Sequence, residues 1–317
     1  MDLNELKTKD MRDVYVDLLL DYAEDHKEMV VVDADLQSAM KTTRFREEKP
    51  EQSVNVGVAE ANMIGVAAGL ANMGKLPFTH TFTPFATRRV FDQVTISVAY
   101  AGLNVKMVGS DPGVMAQLNG GTHMSVDDAG MMRGMPEMTV VEPVDGVQLH
   151  GLFKEIAELD GPVYMRLMRK GNDAVFDVGT SFTLGKAAPI RKGKDVSIFA
   201  SGIMVKEAIE AADILKKEGI DASIINLHTW KPLDKDAIIE DVKVTGCAVA
   251  AENHTIYNGL GSAIAETLGE HHPAPLERVG IKDHFGEVGM KDFLMEKFGL
   301  KAKDIVEAAR KAVERKG

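Results

Sequence analysis

Cysteine is almost missing from this sequence: Cys247 is the single one in 317 residues, so no internal disulfide can form. That usage suits a reducing compartment. The apolar surroundings in Gly246-Cys-Ala-Val-Ala250 mark the residue as core rather than nucleophile. Positive charge is scarce as well. Lys and Arg number 37 against 48 Asp and Glu, a formal charge of −11, which excludes the basic footprint that nucleic-acid or anionic-membrane binding needs. An anionic substrate must therefore be held by a few local Arg or Lys. No apolar stretch reaches the ~18 residues that suggest a membrane span, and the start, Met1-Asp-Leu-Asn-Glu-Leu-Lys7, lacks the basic residues and apolar core of a signal peptide. The expected location is the cytoplasm. Internal repeats and low-complexity tracts are missing too.

What is present is the composition of a soluble globular protein, 45% hydrophobic and 27% charged, in a chain long enough for two domains. Short apolar runs alternate with helical patterns. Residues 12–25 repeat apolar positions at helical spacing before a strand at 29–32, and a helix over 91–101 precedes a strand at 105–108. A strand at 139–141, a helix at 144–159 and a strand at 163–167 close the series. Such alternation predicts an α/β fold with a mostly parallel sheet flanked by helices. Gly, Pro and polar residues then interrupt the pattern. It restarts at 196–200 as a smaller α/β domain, with a charged helix at the end. The expected organisation is a first domain over 1–175, a linker over 176–190 and a second domain over 191–317.

One carboxylate stands out. Glu60 lies in Val54-Asn-Val-Gly-Val-Ala-Glu60-Ala-Asn-Met63, just after an apolar strand and just before a Gly/Ala-rich helix. An isolated buried Glu must stay protonated, share a proton with a ligand or find a cation; alternatively it serves the N-terminus of that helix, where an acid gains roughly 0.3–1 kcal/mol. Phe82 and Phe85, with Phe91 nearby, follow a strand at 76–81 and offer either core packing or a stacking face. His123 sits in Gly120-Gly-Thr-His-Met124, where glycines allow close backbone approach and a neutral imidazole can serve a hydroxyl. A solvated loop histidine is the plainer reading. Asp33 and Asp35 end an apolar strand, where binding groups gather in open α/β sheets, or where they cap. Gly259-Leu-Gly-Ser-Ala263 imitates a dinucleotide loop but lacks the later acid, so a tight strand-to-helix connection is expected. His271 and His272 have no further ligand at metal spacing, and no metal site is expected in this chain.

Taken in order, NVGVAEANMIGVAAGLANMGKLPFTHTFTPFATRR, SVAYAGLNVKMVGS, GGTHMSVDDAGMMRGMPEMTVVEP and AENHTIYNGLGSAIAE resemble the C-terminal half of transketolase, as found in the separate second subunit of split transketolases. The resemblance implies a pyrimidine-binding domain followed by the transketolase C-terminal domain, and a thiamine diphosphate enzyme moving a two-carbon ketol unit from a ketose to an aldose. It implies that Glu60 is the carboxylate on the cofactor's aminopyrimidine, and that Phe82 and Phe85 clamp that ring. His123 then contacts substrate, and Asp35 lies near the cofactor and the subunit boundary. His80 becomes a pocket residue where the family usually has a small hydroxyl, and Arg88 stands where single-chain relatives place a further aromatic.

The family's phosphate anchors, two Arg, a Ser and a His, fall on Arg12, Arg169, Ala39 and Asp111 when the blocks are matched without gaps. Both Arg remain, Ser38 is only adjacent to Ala39, and an acid replaces the His. Asp111 repels a dianion unless paired with Arg. Asn119 takes the place of an acid in the family's GEDG-type loop. A sugar tail other than the usual pentose-phosphate set is therefore expected.

The family's Gly-Asp-Gly motif and the later Asn that hold the metal on the cofactor's diphosphate are missing from this chain. Mg2+ ligands are accordingly expected from a partner, an N-terminal transketolase subunit, in an α2β2 assembly with sites at the interfaces. Two alternatives stay open on sequence alone: the β subunit of a 2-oxo-acid dehydrogenase, and a non-catalytic scaffold. The single-chain 1-deoxyxylulose-phosphate synthases share the AENHTIYNGLGSA block.

Overall fold

The structure, a computed structural model, describes residues 3–171 and 174–316. Residues 172 and 173, inside the stretch assigned to the first domain, and Gly317 lie outside the described residues. Twelve strands are described: β1 Met29–Asp33, β2 Ser53–Asn55, β3 Leu76–Phe82, β4 Lys106–Ser110, β5 Thr139–Val141, β6 Val163–Leu167, β7 Ala188–Arg191, β8 Val196–Ala200, β9 Ala222–Asn226, β10 Thr229–Lys231, β11 Ala248–Thr255 and β12 Leu276–Ile281.

They form a seven-stranded sheet ordered β10-β5-β6-β4-β3-β1-β2 and a five-stranded sheet ordered β12-β11-β8-β9-β7. All pairings are parallel except β10 with β5 and β7 with β9 at the sheet edges. The fold class is thus α/β with two mostly parallel sheets. Strands such as β1, β4 and β6 bury every residue, because helices cover both faces of a parallel sheet.

The helices follow the same logic. Helix Gly146–Glu158 starts where the Asp145 carboxylate accepts the Gln148 N–H at 2.8 Å, and it buries Val147, Leu149, Leu152, Phe153 and Ile156. Helix Ala302–Arg315 buries Ile305, Val306, Ala309 and Ala312 against the second sheet.

Two departures from the sequence expectation matter. The helix expected over 91–101 is broken into a 3-10 turn at Arg88–Val90, a helical turn at Phe91–Gln93 and a wide π turn at Val94–Ala99. The Thr95 hydroxyl donates to the Phe91 carbonyl at 2.7 Å, and Tyr100 N–H reaches back to the Thr95 carbonyl at 2.8 Å, so the ladder slips by one residue. The second departure is β10, which leaves the second half of the chain to extend the first sheet.

The stretch expected as a linker is packed: Val175 and Phe176 N–H groups donate to the Asp145 carboxylate at 2.7 and 2.8 Å. Where the halves meet, the fully buried Arg166 of β6 donates to Asp128 at 2.8 Å, to Glu142 at 2.7 Å and to the Asn253 carbonyl at 2.9 Å.

Candidate functional site

The carboxyl ends of β1, β3, β4 and β6 lie along one edge of the first sheet, since Asp33 pairs with His80, Phe82 with Ser110, and Ser110 with Leu167. Loops leaving that edge carry most of the residues singled out in the sequence. A parallel sheet collects binding groups there.

Glu60 opens helix Glu60–Asn72 and is buried. The N-cap position of that helix is Ala59, which has no side chain able to cap it. Arg89 Nη1 donates to Glu60 Oε1 at 2.6 Å. The cation demanded by a buried carboxylate is therefore supplied from 29 residues further along the chain. The guanidinium of Arg89 also lies 3.6 Å above the Phe85 ring.

Phe82, Phe85 and His123 form a triangle of rings with centroids 5.1–6.1 Å apart. His123 Nδ1 is 2.8 Å from the Thr122 hydroxyl, and Arg88 donates to the Thr122 carbonyl at 3.1 Å, which ties the histidine loop to the turn that follows Phe82 and Phe85. Arg169 stands 4.8 Å from the Phe82 ring centroid and is ion-paired with Asp111. A continuous set of contacts thus runs Glu60–Arg89–Phe85–His123–Phe82–Arg169–Asp111.

Asp111 has a left-handed backbone, φ 56°, and is fixed on three sides: its N–H donates to the Leu167 carbonyl at 2.9 Å, while its carboxylate accepts Arg169 N–H at 3.2 Å and the Arg169 side chain. Burial pushes the Asp111 carboxyl above its ordinary value, and the neighbouring Arg169 acts against that rise. Asp111, Gln117, Asn119, Arg169, Lys170 and Met290 line a pocket of about 420 Å³. Arg12 is bonded to the backbone behind this wall without lining the pocket: its N–H donates to the Arg169 carbonyl at 3.1 Å and its Nη1 to the Ala39 carbonyl at 2.9 Å. Arg12 Nε is buried without a hydrogen-bond partner.

Two residues stand apart from that line. His80 is fully buried one pleat deeper than Phe82, with Nε2 2.8 Å from the Tyr15 hydroxyl and Nδ1 unbonded, 3.8 Å from Asp33. Burial lowers the His80 pKa to about 3 and raises that of Asp33 to about 6, although Thr42 and Gln37 donate to the latter. Asp35 is exposed, in a left-handed turn with φ 58°, its N–H donating to Asn55 Oδ1 at 3.1 Å.

The imitation dinucleotide loop has its anion already. Glu252 accepts Leu260 N–H at 2.7 Å and Gly261 N–H at 3.0 Å at the start of helix Leu260–His271, so the chain fills its own helix N-terminus. Asp128, of the Asp127–Asp128 pair, is likewise consumed by Arg166 and Tyr164. Among the described residues, no group of three or more His, Cys, Asp or Glu could hold a metal ion, and no helix is long and apolar enough to cross a membrane.

The role of Arg89 is not legible in the sequence, because nothing in its spacing from Glu60 signals the contact. The sequence marks Asp33 as a strand end; its burial beside His80 depends on the β1–β3 register.

The chain belongs to the transketolase family. The family model described as "Transketolase, pyrimidine binding domain" matches residues 7–172, and "Transketolase, C-terminal domain" matches residues 185–305. The sequence is 58% identical over 96% of the chain to the 6-deoxy-6-sulfo-D-fructose transketolase subunit SqwH of Clostridium sp. (strain MSTE9), covering 95% of that protein. It is 38% identical over 94% of the chain to a putative transketolase C-terminal section of Methanocaldococcus jannaschii, covering 94% of it. Among solved structures, a split gene transketolase described as an inactive beta4 tetramer superposes with a TM-score of 0.89 at 40% identity, over 97% of this chain and 99% of that one. These split-transketolase relatives are matched over nearly their whole length, and the comparisons do not favour the dehydrogenase-subunit reading.

Proposed function

We propose that this chain supplies the pyrimidine side of a thiamine diphosphate site and the sugar-tail pocket of a split transketolase, and that the donor sugar carries a terminal sulfonate. The observation that carries the reading is the line of contacts from Glu60 to Asp111, considered with the 58% identity to a sulfo-sugar transketolase subunit.

The donor set fits the cofactor's aminopyrimidine. Glu60 offers a carboxylate to the ring nitrogen, held at a helix start with limited access to water, and Phe82 and Phe85 offer flat apolar faces beside it. When bound, thiamine diphosphate supplies the nucleophilic carbon that takes up and hands on a two-carbon unit. The chain's own work is to keep Glu60 in place through Arg89, to exclude water with the ring triangle, and to present His123 to substrate hydroxyls. Arg169 takes the anionic tail, with Arg12 behind it. In the net reaction the donor's C2–C3 bond breaks and the two-carbon unit joins the acceptor's aldehyde carbon.

The diphosphate and Mg2+ ligands belong, on this reading, to an N-terminal partner in an α2β2 assembly. Exposed apolar side chains around the site support a partner surface. Val58 precedes Glu60 and is 75% exposed, while Ile96 and Tyr100, 56% and 87% exposed, project from the π-turn segment packed on helix Glu60–Asn72.

Isolation of the protein from its native cells, with identification of whatever co-elutes at equal stoichiometry, tests the partner directly. A chain carrying Gly-Asp-Gly and the later Asn is expected, and the pair should turn over 6-deoxy-6-sulfo-D-fructose. Efficient use of xylulose 5-phosphate with ribose 5-phosphate at micromolar KM would refute the substrate reading, and no such partner would refute the split site. A catalytically silent scaffold would bind no thiamine diphosphate in the assembled complex.

A further inference from the structure

We propose that Asp111 is the residue that sets the charge preference of the sugar-tail pocket, admitting a monoanionic sulfonate and penalising a phosphate dianion. The inference rests on the reading of the chain as a sulfo-sugar transketolase subunit and names the residue behind that selectivity.

Two cations line the pocket, Arg169 and Lys170, against one carboxylate, Asp111; Arg12 stands behind Arg169 with a counter-charge of its own. Asp10 lies 3.5 Å from Arg12 Nη2, and Asp111 is paired with Arg169. One net positive charge is left on this wall, the complement of a single negative charge. A sulfonate carries one charge over three acceptor oxygens at any working pH. A phosphate monoester carries about −1.5 to −2 near pH 7.

The second charge of a phosphate would be desolvated beside the Asp111 carboxylate, which cannot move away. Its backbone is left-handed, its N–H is bonded to the Leu167 carbonyl at 2.9 Å, and its partner Arg169 is stacked on Phe82. Arg169 can still aim donors at three oxygens, but part of its charge is spent on Asp111.

Asp111→Asn tests this in the holoenzyme with its partner. Asn suits a left-handed backbone as well as Asp does and retains an oxygen for the Arg169 N–H, so the fold should hold. The ratio of kcat/KM for fructose 6-phosphate to that for 6-deoxy-6-sulfo-D-fructose should rise by roughly tenfold or more, the scale of one like charge removed from a half-buried site. The change should reside in KM for the phosphate and leave kcat near its original value.

The unmodified complex provides a second reading: ethanesulfonate should compete with substrate more tightly than ethyl phosphate does, with the order reversed in Asp111→Asn. An unchanged ratio in the variant, or equal inhibition in the unmodified complex, overturns the role of Asp111 while sulfo-sugar turnover leaves the functional reading standing. A complex that turns over neither sugar overturns both.

Discussion

Arg89 is the neighbour that explains how Glu60 can be buried as a carboxylate. A buried carboxylate needs a cation, and the Arg89 guanidinium at 2.6 Å supplies one. Glu60→Gln preserves size and removes the charge, so steady-state ketol transfer by the assembled complex should fall by roughly 10²–10⁴-fold. Size-exclusion chromatography should show the assembly intact. Retention of more than a tenth of the activity would count against the assigned role. A second residue-scale consequence concerns Asp33. Its folded pKa of about 6 lies above the ordinary 3.8, so the folded state holds a proton that the unfolded chain has lost. That contribution is fully present below 3.8 and is lost as pH rises through about 6, at about 1.4 kcal/mol per unit. Asp33→Asn is neutral throughout. The stability of Asp33→Asn minus that of the unmodified chain should therefore increase between pH 4 and pH 7 in denaturant titrations. His80, held neutral by burial, is common to both proteins and drops out of the difference.

At the scale of elements, the strands were the most legible. Runs such as Met29–Asp33, Val163–Leu167 and Val196–Ala200 are short, mostly apolar and buried on both faces, and apart from the buried Asp33, Arg166 and Ser197 their sequence says so. The helix expected over 91–101 was not, because a hydroxyl returning to the backbone at Thr95 shifts the ladder without altering the apolar spacing. Nor could β10 be read as part of the first sheet, since three residues carry no signal of which edge they will join. The site shows the same split. Phe82, Phe85 and His123 are legible as residue types near the ends of elements, and Arg169 and Asp111 only through the family resemblance, whereas Arg89 depends on a fold-made contact. The seam between the halves gives a stability test. Arg166 removed as Arg166→Met leaves Asp128 and Glu142 buried without their cation, and the chain should lose about 3–5 kcal/mol in chemical denaturation. The histidine loop gives another. A Cβ on Gly121 would lie 2.4 Å from the Gly286 carbonyl, so Gly121→Ala must displace one segment or the other. Its effect should be a raised KM at the His123 loop with little loss of global stability, read by kinetics beside a melting curve.

On the proposed function the whole molecule is a half-site. Its two sheets are locked by a buried ionic cluster, and its sheet edge gathers a carboxylate, three rings and an anion pocket, yet the described residues include no cluster able to hold a metal. Exposed apolar side chains surround the gap. On the proposed function a partner completes the site, and cofactor affinity should be a property of the complex. Calorimetric titration of thiamine diphosphate with Mg2+ into this chain, into its partner and into the mixture, followed by a ketol-transfer assay of each, is the most direct test. Tight binding and turnover are predicted in the mixture alone, with both lost or strongly weakened in Glu60→Ala. Turnover by the isolated chain, or full activity of the Glu60→Ala mixture, would contradict it.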